Sequence, residues 1–185
     1  MSDAEAVLDR AKTTGALTLG EFKLSSGKTG SYYFDGRLLT LDPEGANRVA
    51  LALLPILKKC DAEAIAGPTL GADPIVASVA VLSYQCGRPI PGLIVRMEAK
   101  KHGTRRLIEG PVRKGSRVAV VDDTVTTGGN LLKAIEAIER AGCVVVKVLC
   151  VLDRREGGSE EIKRRGYDFA ALLEADERGQ ITAVS

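Results

Sequence analysis

The chain contains no tryptophan, one histidine, three phenylalanines and four tyrosines in 185 residues. An aromatic share of 4% leaves few rings for the stacking platforms that bind single-stranded nucleic acid. A single imidazole, His102, excludes any triad or metal centre that needs several. The four cysteines (Cys60, Cys86, Cys143, Cys150) show no CxxC spacing and lie far from His102, so no zinc site is expected. Cys86, Cys143 and Cys150 fall in or beside apolar runs as small hydrophobes, which suits a reducing compartment. Net charge is also scarce: 26 Lys+Arg against 24 Asp+Glu leave +2, without the basic field of a duplex-DNA binder. No apolar run approaches the roughly 18–20 residues of a membrane span. The start, Met1-Ser2-Asp3-Ala4-Glu5, lacks the basic and then apolar segments of a signal peptide. These absences predict a soluble cytoplasmic protein with neither nucleic acid nor membrane as partner.

What is present suffices for one full-sized core. A chain of this length buries roughly 70% of its unfolded surface, and 45% of its residues are hydrophobic. Ser2 with Glu5 reads as a capping box opening a helix through about residue 12. Residues 17–24 alternate imperfectly, a Gly/Ser-rich turn follows at 25–30, and 31–34 continue, which predicts an antiparallel pair. Asp42-Pro43 marks a helix start, with Val49, Leu53, Ile56 and Leu57 at helical spacing. From there strands and helices alternate. Strands are expected at 64–66, 93–96, 117–122, 144–152 and 170–173, and helices at about 74–85 and 130–141. Continuous apolar strands alternating with helices imply an α/β fold with a parallel sheet covered on both faces. Residues 97–114 carry no apolar periodicity, as a functional loop would.

Two phosphate-loop patterns fail. Gly27-Lys28-Thr29 has the look of a P-loop end, but Phe22 stands where the first glycine is required, and no GxGxxG is present. The stronger block runs from Val118 through Asp122, Asp123, Thr124, Val125, Thr126, Thr127, Gly128 and Gly129 to Asn130. An apolar strand delivers two carboxylates, then hydroxyls, then a glycine pair, then a helix start. Glycines let backbone N–H groups turn in around a phosphate, and a helix N-terminus favours negative charge. Carboxylates would repel that phosphate, so Asp122 and Asp123 should address ribose hydroxyls or a ligand-borne magnesium ion.

That block resembles the phosphoribosyl diphosphate (PRPP) motif of the type I phosphoribosyltransferases. Segments 22–37, 67–74, 96–110 and Leu152-Asp153-Arg154 look like the orotate branch of that family. The resemblance implies a mostly parallel central sheet flanked by helices, in one domain with a hood-like segment at 1–40 and an α/β core at 41–185. It implies transfer of the phosphoribosyl group of PRPP to orotate, giving orotidine 5'-monophosphate and diphosphate, in pyrimidine (UMP) synthesis.

By the same resemblance, Asp122 and Asp123 hold the ribose hydroxyls, and Thr126 to Asn130 cradle the 5-phosphate. Thr124 and Val125 complete the PRPP-binding block. Arg96, Lys100 and His102 supply countercharge to the diphosphate. Lys100, His102 and Asp123 form the catalytic set. Thr126 and Arg154 meet orotate, with Tyr33 and Phe34 walling the base pocket. Magnesium is expected to arrive with PRPP, with no metal site built by the protein. A homodimer is expected, its Lys100–His102 loop reaching into the partner's site.

Three positions depart from the family pattern: Met97 where a lysine is common, and Gly71 and Ser25 where one branch carries lysines. Two other readings stay open here, a transferase for another nucleobase and a non-catalytic PRPP-binding regulator. Asp153-Arg154 favours the acidic base, and Met97 the regulator.

Overall fold

The computed structural model describes residues 1–23, 29–98 and 107–184. Helix α1 (Asp3–Thr13) opens with the expected box: Ser2 Oγ accepts from the Glu5 N–H at 3.2 Å, and Glu5 Oε2 accepts from the Ser2 N–H at 2.6 Å. Strands β1 (Leu17–Lys23) and β2 (Thr29–Phe34) pair antiparallel, with a register shift between Leu19 and Phe22. That shift explains the imperfect alternation in the sequence. A short helix α2 (Gly36–Thr40) follows, and α3 (Pro43–Lys59) starts where Asp42 accepts from the Gly45 N–H at 2.8 Å. Asp42 also takes a two-pronged contact from Arg10, tying α1 to the start of α3.

The remaining elements alternate: β3 (Ala64–Pro68), α4 (Asp73–Gln85), β4 (Gly92–Val95), β5 (Ile108–Glu109), β6 (Arg117–Val125), α5 (Gly129–Arg140), β7 (Val144–Asp153), α6 (Gly158–Arg164), β8 (Phe169–Ala175) and β9 (Ile181–Ala183). Among the described residues they form a seven-stranded sheet of order β5-β4-β3-β6-β7-β8-β9. The pairs from β4 to β8 are parallel, and the two edge strands, β5 and β9, run antiparallel.

Alternation along β6 shows why the sequence reads as unbroken apolar. Ala119 and Val121 pack with α1, α3 and α4 on one face, while Val118 and Val120 pack with α5 on the other. Both faces are covered, so every strand position needs an apolar side chain. The strand is also longer than its apolar run. Thr124 and Val125 pair with Leu152 and Asp153 of β7, so the ladder carries Asp122 and Asp123 within the strand. The long 97–114 segment contains β5, a two-residue strand too short to show periodicity. No helix among the described residues is long and apolar enough to cross a membrane.

Candidate active site

Strand order reverses direction between β3 and β6. The chain leaves β3 toward β4 on one side and β6 toward β7 on the other. Open α/β sheets bind ligands in the crevice at the carboxyl ends of the strands beside such a reversal. Asp122 and Asp123 sit at that end of β6. Arg96 follows β4, two strand spacings or roughly 10 Å away.

Two cavities flank the end of β6. One, of about 120 Å³, is lined by Asp122 and by residues 124–131. The other, of about 390 Å³, is lined by Tyr33, Phe34, Asp35, Gly36, Arg37, Leu70, Gly71, Asp123, Thr124 and Arg154. Successive strand residues point to opposite sides, which puts Asp122 on the small cavity and Asp123 on the large one. The small cavity has the dimensions and lining of an anion cradle. Gly128 adopts φ +76° as N-cap of α5, a left-handed turn open to glycine, and α5 has no side-chain cap. The first N–H groups of α5 therefore remain available to a ligand. The helix begins at Gly129, one residue before the Asn130 start expected from the sequence.

The carboxylate pair is crowded and dry. Asp122 is only 6% exposed, and its Oδ1 accepts from the Asp123 N–H at 2.9 Å. Burial, and then the charge of Asp123, push the Asp122 carboxyl above the usual carboxylate range. Asp123 is raised too, chiefly by burial. Such a pair gains from hydroxyl donors or a cation. Its room comes from glycines: a Cβ on Gly36 would stand 2.6 Å from Asp123 Oδ2, and one on Gly71 2.7 Å from Asp123 Oδ1. Gly71 belongs to the loop after β3, which the Thr69 N–H anchors to Val95 O at 2.9 Å. Any side chain at 71 would press on these carboxylates.

Arg96 directs its backbone N–H to Leu107 O at 2.7 Å, and its Nη1 lies 3.8 Å from Glu109 Oε1. Its Nε is buried with no hydrogen-bond partner among the described residues. Met97 is half-buried and packs against the α5-side core. Arg154 leaves the end of β7 with its N–H on Val125 O at 3.0 Å, and its Nε donates to Tyr32 Oη at 3.0 Å. Val125 itself is 1% exposed, so its side chain is core and only its backbone faces the cradle. Lys100, His102 and Ser25 lie outside the described residues.

The structure also brings in residues that sequence reasoning missed. Gly158 donates its N–H to Thr126 O at 2.9 Å, and a Cβ there would stand 2.5 Å from Thr126 O and 2.6 Å from Gly128 N. The Gly157-Gly158 pair was its only signal in the sequence. Tyr32 was overlooked in favour of Tyr33 and Phe34. Alternation along β2 puts Tyr32 and Phe34 on the buried side and leaves Tyr33 exposed beside Phe22, although both Tyr33 and Phe34 line the larger cavity.

Fold and site together are those of a phosphoribosyl transferase domain, and the model of that family matches residues 93–169. An orotate phosphoribosyltransferase from Nostoc sp. is 48% identical over 158 residues, covering 83% of this chain and 75% of the relative. The orotate phosphoribosyltransferase of Mycobacterium tuberculosis, solved in complex with Fe(III) dicitrate, matches at TM-score 0.83 and 34% identity, over 97% of this chain and 100% of that one. The same enzyme solved with PRPP matches at TM-score 0.76 and 31% identity, over 94% and 96% of the two chains. The chain belongs to the orotate phosphoribosyltransferase family.

Proposed function

We propose that this protein transfers the phosphoribosyl group of PRPP to orotate. The C1–O bond to diphosphate breaks as a bond from C1 to orotate N1 forms, releasing orotidine 5'-monophosphate and diphosphate in pyrimidine synthesis. The observation that carries the reading is the carboxylate pair between two cavities, one phosphate-sized and one bordered by Arg154. A transition state of oxocarbenium character, parting from a highly charged leaving group, needs positioning and charge stabilisation rather than a covalent nucleophile.

In this reading the chain is one catalytic domain, with 1–40 as a hood over the core at 41–185. The backbone N–H groups and hydroxyls of Thr126 to Asn130 hold the 5-phosphate. Asp122 and Asp123 accept from the ribose hydroxyls, and Asp123 fixes the reacting carbon. Thr124 and the Val125 backbone complete this wall. Arg96, whose buried Nε lacks a partner among the described residues, binds the diphosphate with Lys100 and His102, and His102 donates to the departing diphosphate. Arg154 pairs with the orotate carboxylate, and Thr126 reaches both substrates.

Two carboxylates beside substrate phosphates are a donor set that magnesium accepts, so Asp122 and Asp123 fit an ion carried in on the diphosphate. Bound there, Mg²⁺ would neutralise charge on the leaving group. The protein is further proposed to be cytoplasmic and to act as a homodimer, with the Lys100–His102 loop serving the partner's site.

The test mixes protein, PRPP, Mg²⁺ and orotate and follows orotate loss by absorbance. Loss of orotate is expected, and it should cease when Mg²⁺ is chelated. Turnover of hypoxanthine or uracil instead would overturn the reading, and PRPP binding without any acceptor turnover would indicate a regulator. The dimer has its own test. Mixing the impaired Lys100→Ala and Arg154→Ala chains should raise activity well above that of either alone, because one site of each mixed dimer regains both residues. No recovery in verified mixed dimers would show that the loop acts within its own chain.

A further inference from the structure

Arg154 is not left to find its own orientation. Its side chain is largely buried at 19% exposure. Its Nε donates to Tyr32 Oη at 3.0 Å and lies 3.3 Å from Glu156 Oε1. Its guanidinium carbon stands 5.1 Å from the centroid of the Tyr32 ring. Tyr32 is 7% exposed and belongs to the core shared by β1, β2 and the α1–α3–α4 face of the sheet. Its strand is pinned on both sides: Tyr32 pairs with Leu19 of β1, and Ser31 Oγ donates to Arg178 O at 2.9 Å. A residue 122 positions earlier in the chain thus grips the one donor of Arg154 that lies along its stem.

We propose that Tyr32 is the positioning residue that sets acceptor recognition by Arg154. The inference rests on the reading that Arg154 pairs with the orotate carboxylate. An arginine has four side-chain torsions, and ordering them at the moment of binding costs conformational entropy. With Nε committed to Tyr32 and the guanidinium faced by its ring, the edge left for a carboxylate is the Nη1/Nη2 pair, ready for a two-pronged contact. The ordering is then already present in the free protein, which is the general route to tighter binding without a new ligand contact.

The experiment compares Tyr32→Phe, Arg154→Ala and the double variant, measuring KM for orotate, KM for PRPP, kcat and thermal stability. Tyr32→Phe keeps the ring and removes only the hydroxyl. It should raise KM for orotate about 3- to 10-fold, in line with one lost hydrogen bond, and leave KM for PRPP within about 2-fold. In the double variant the Tyr32 effect should vanish, because no guanidinium remains to be positioned. An equal rise in both KM values, or a Tyr32→Phe effect that persists without Arg154, would make Tyr32 a merely structural residue and overturn the proposal. An unchanged KM for orotate in Tyr32→Phe would overturn it as well. An unchanged KM for orotate in Arg154→Ala would instead sink the reading of Arg154 beneath it.

Discussion

Asp123 occupies the space that a side chain on Gly71 would fill: a Cβ there would stand 2.7 Å from Asp123 Oδ1 and 3.1 Å from Asp122 Oδ1. The atoms in the way are the ends of carboxylate side chains, which can swing aside, so the fold tolerates the change better than the site does. Gly71→Ala is expected to lower kcat/KM about 10- to 100-fold, the scale of a reacting group displaced by about 1 Å. The melting temperature should fall by no more than about 3 °C. Steady-state kinetics beside a thermal melt check both. A large loss of Tm with normal kinetics would show that the backbone moves instead of Asp123.

The burial of Asp122 carries a pH signature. Its carboxyl holds a proton more tightly in the folded state than in the unfolded chain, through burial and then the charge of Asp123. Stability from such a group is complete below the ordinary carboxylate range and is lost as pH rises through the raised value. Asp122→Asn removes this loss. The variant should gain in Tm over wild type as pH increases, while activity falls about 10- to 100-fold because an amide cannot ionise toward the ribose hydroxyls or cation proposed to face it. Thermal melts of both proteins across pH 4 to 9 check it, and parallel curves would count against a proton held at Asp122.

Much of the fold was legible because its signals are local. Ser2 and Glu5 cap α1, Asp42-Pro43 opens α3, and the apolar run at 118–121 reads as a strand buried on both faces. The block from Asp122 to Asn130 was legible as a site because carboxylates, hydroxyls and glycines follow one strand in order. The elements missed are short and depend on distant partners. Helix α6 has no side-chain cap, starts after Gly157 at φ +95°, and takes its place from the contact of Gly158 with the loop at 126–128. Tyr32 gives no local sign of its bond to Arg154, and period-2 alternation was the one clue that it shares a side of β2 with Phe34. The choice of a lysine or a methionine at 97 has no consequence for strand or helix, so its meaning lies wholly in what it faces.

Met97 follows Arg96 and packs partly against the α5-side core. It supplies neither charge nor hydrogen bond to a diphosphate. A lysine can keep its stem on the same apolar surface while its ammonium reaches solvent or ligand. Met97→Lys is therefore expected to lower KM for PRPP about 3- to 10-fold, the gain of one charge-assisted hydrogen bond partly offset by screening, and to leave KM for orotate unchanged. An unchanged or higher KM for PRPP would show that other cations already serve the diphosphate and that the site has been rebuilt around methionine.

Gly158 presents the opposite case to Gly71, because the two nearest atoms facing it are backbone. A Cβ would stand 2.5 Å from Thr126 O and 2.6 Å from Gly128 N, neither of which can rotate away, and 2.7 Å from Val125 Cγ1. The same residue donates its N–H to Thr126 O at 2.9 Å, so α6 braces the 126–128 loop from behind. Gly158→Ala must push either the cradle or α6. Overpacking of this kind typically costs about 1–3 kcal/mol, and at about 2–4 °C per kcal/mol for a chain of this size Tm should drop by several degrees. Because the displaced loop is the one proposed to hold the 5-phosphate, KM for PRPP should rise about 10-fold or more while KM for orotate changes little. Gly157→Ala, where a Cβ meets nothing within 4 Å but φ is +95°, separates the two causes: it should share the loss of Tm and spare KM for PRPP. If Gly158→Ala lowers Tm and leaves KM for PRPP alone, α6 gives way rather than the cradle, and the brace plays no part in phosphate binding.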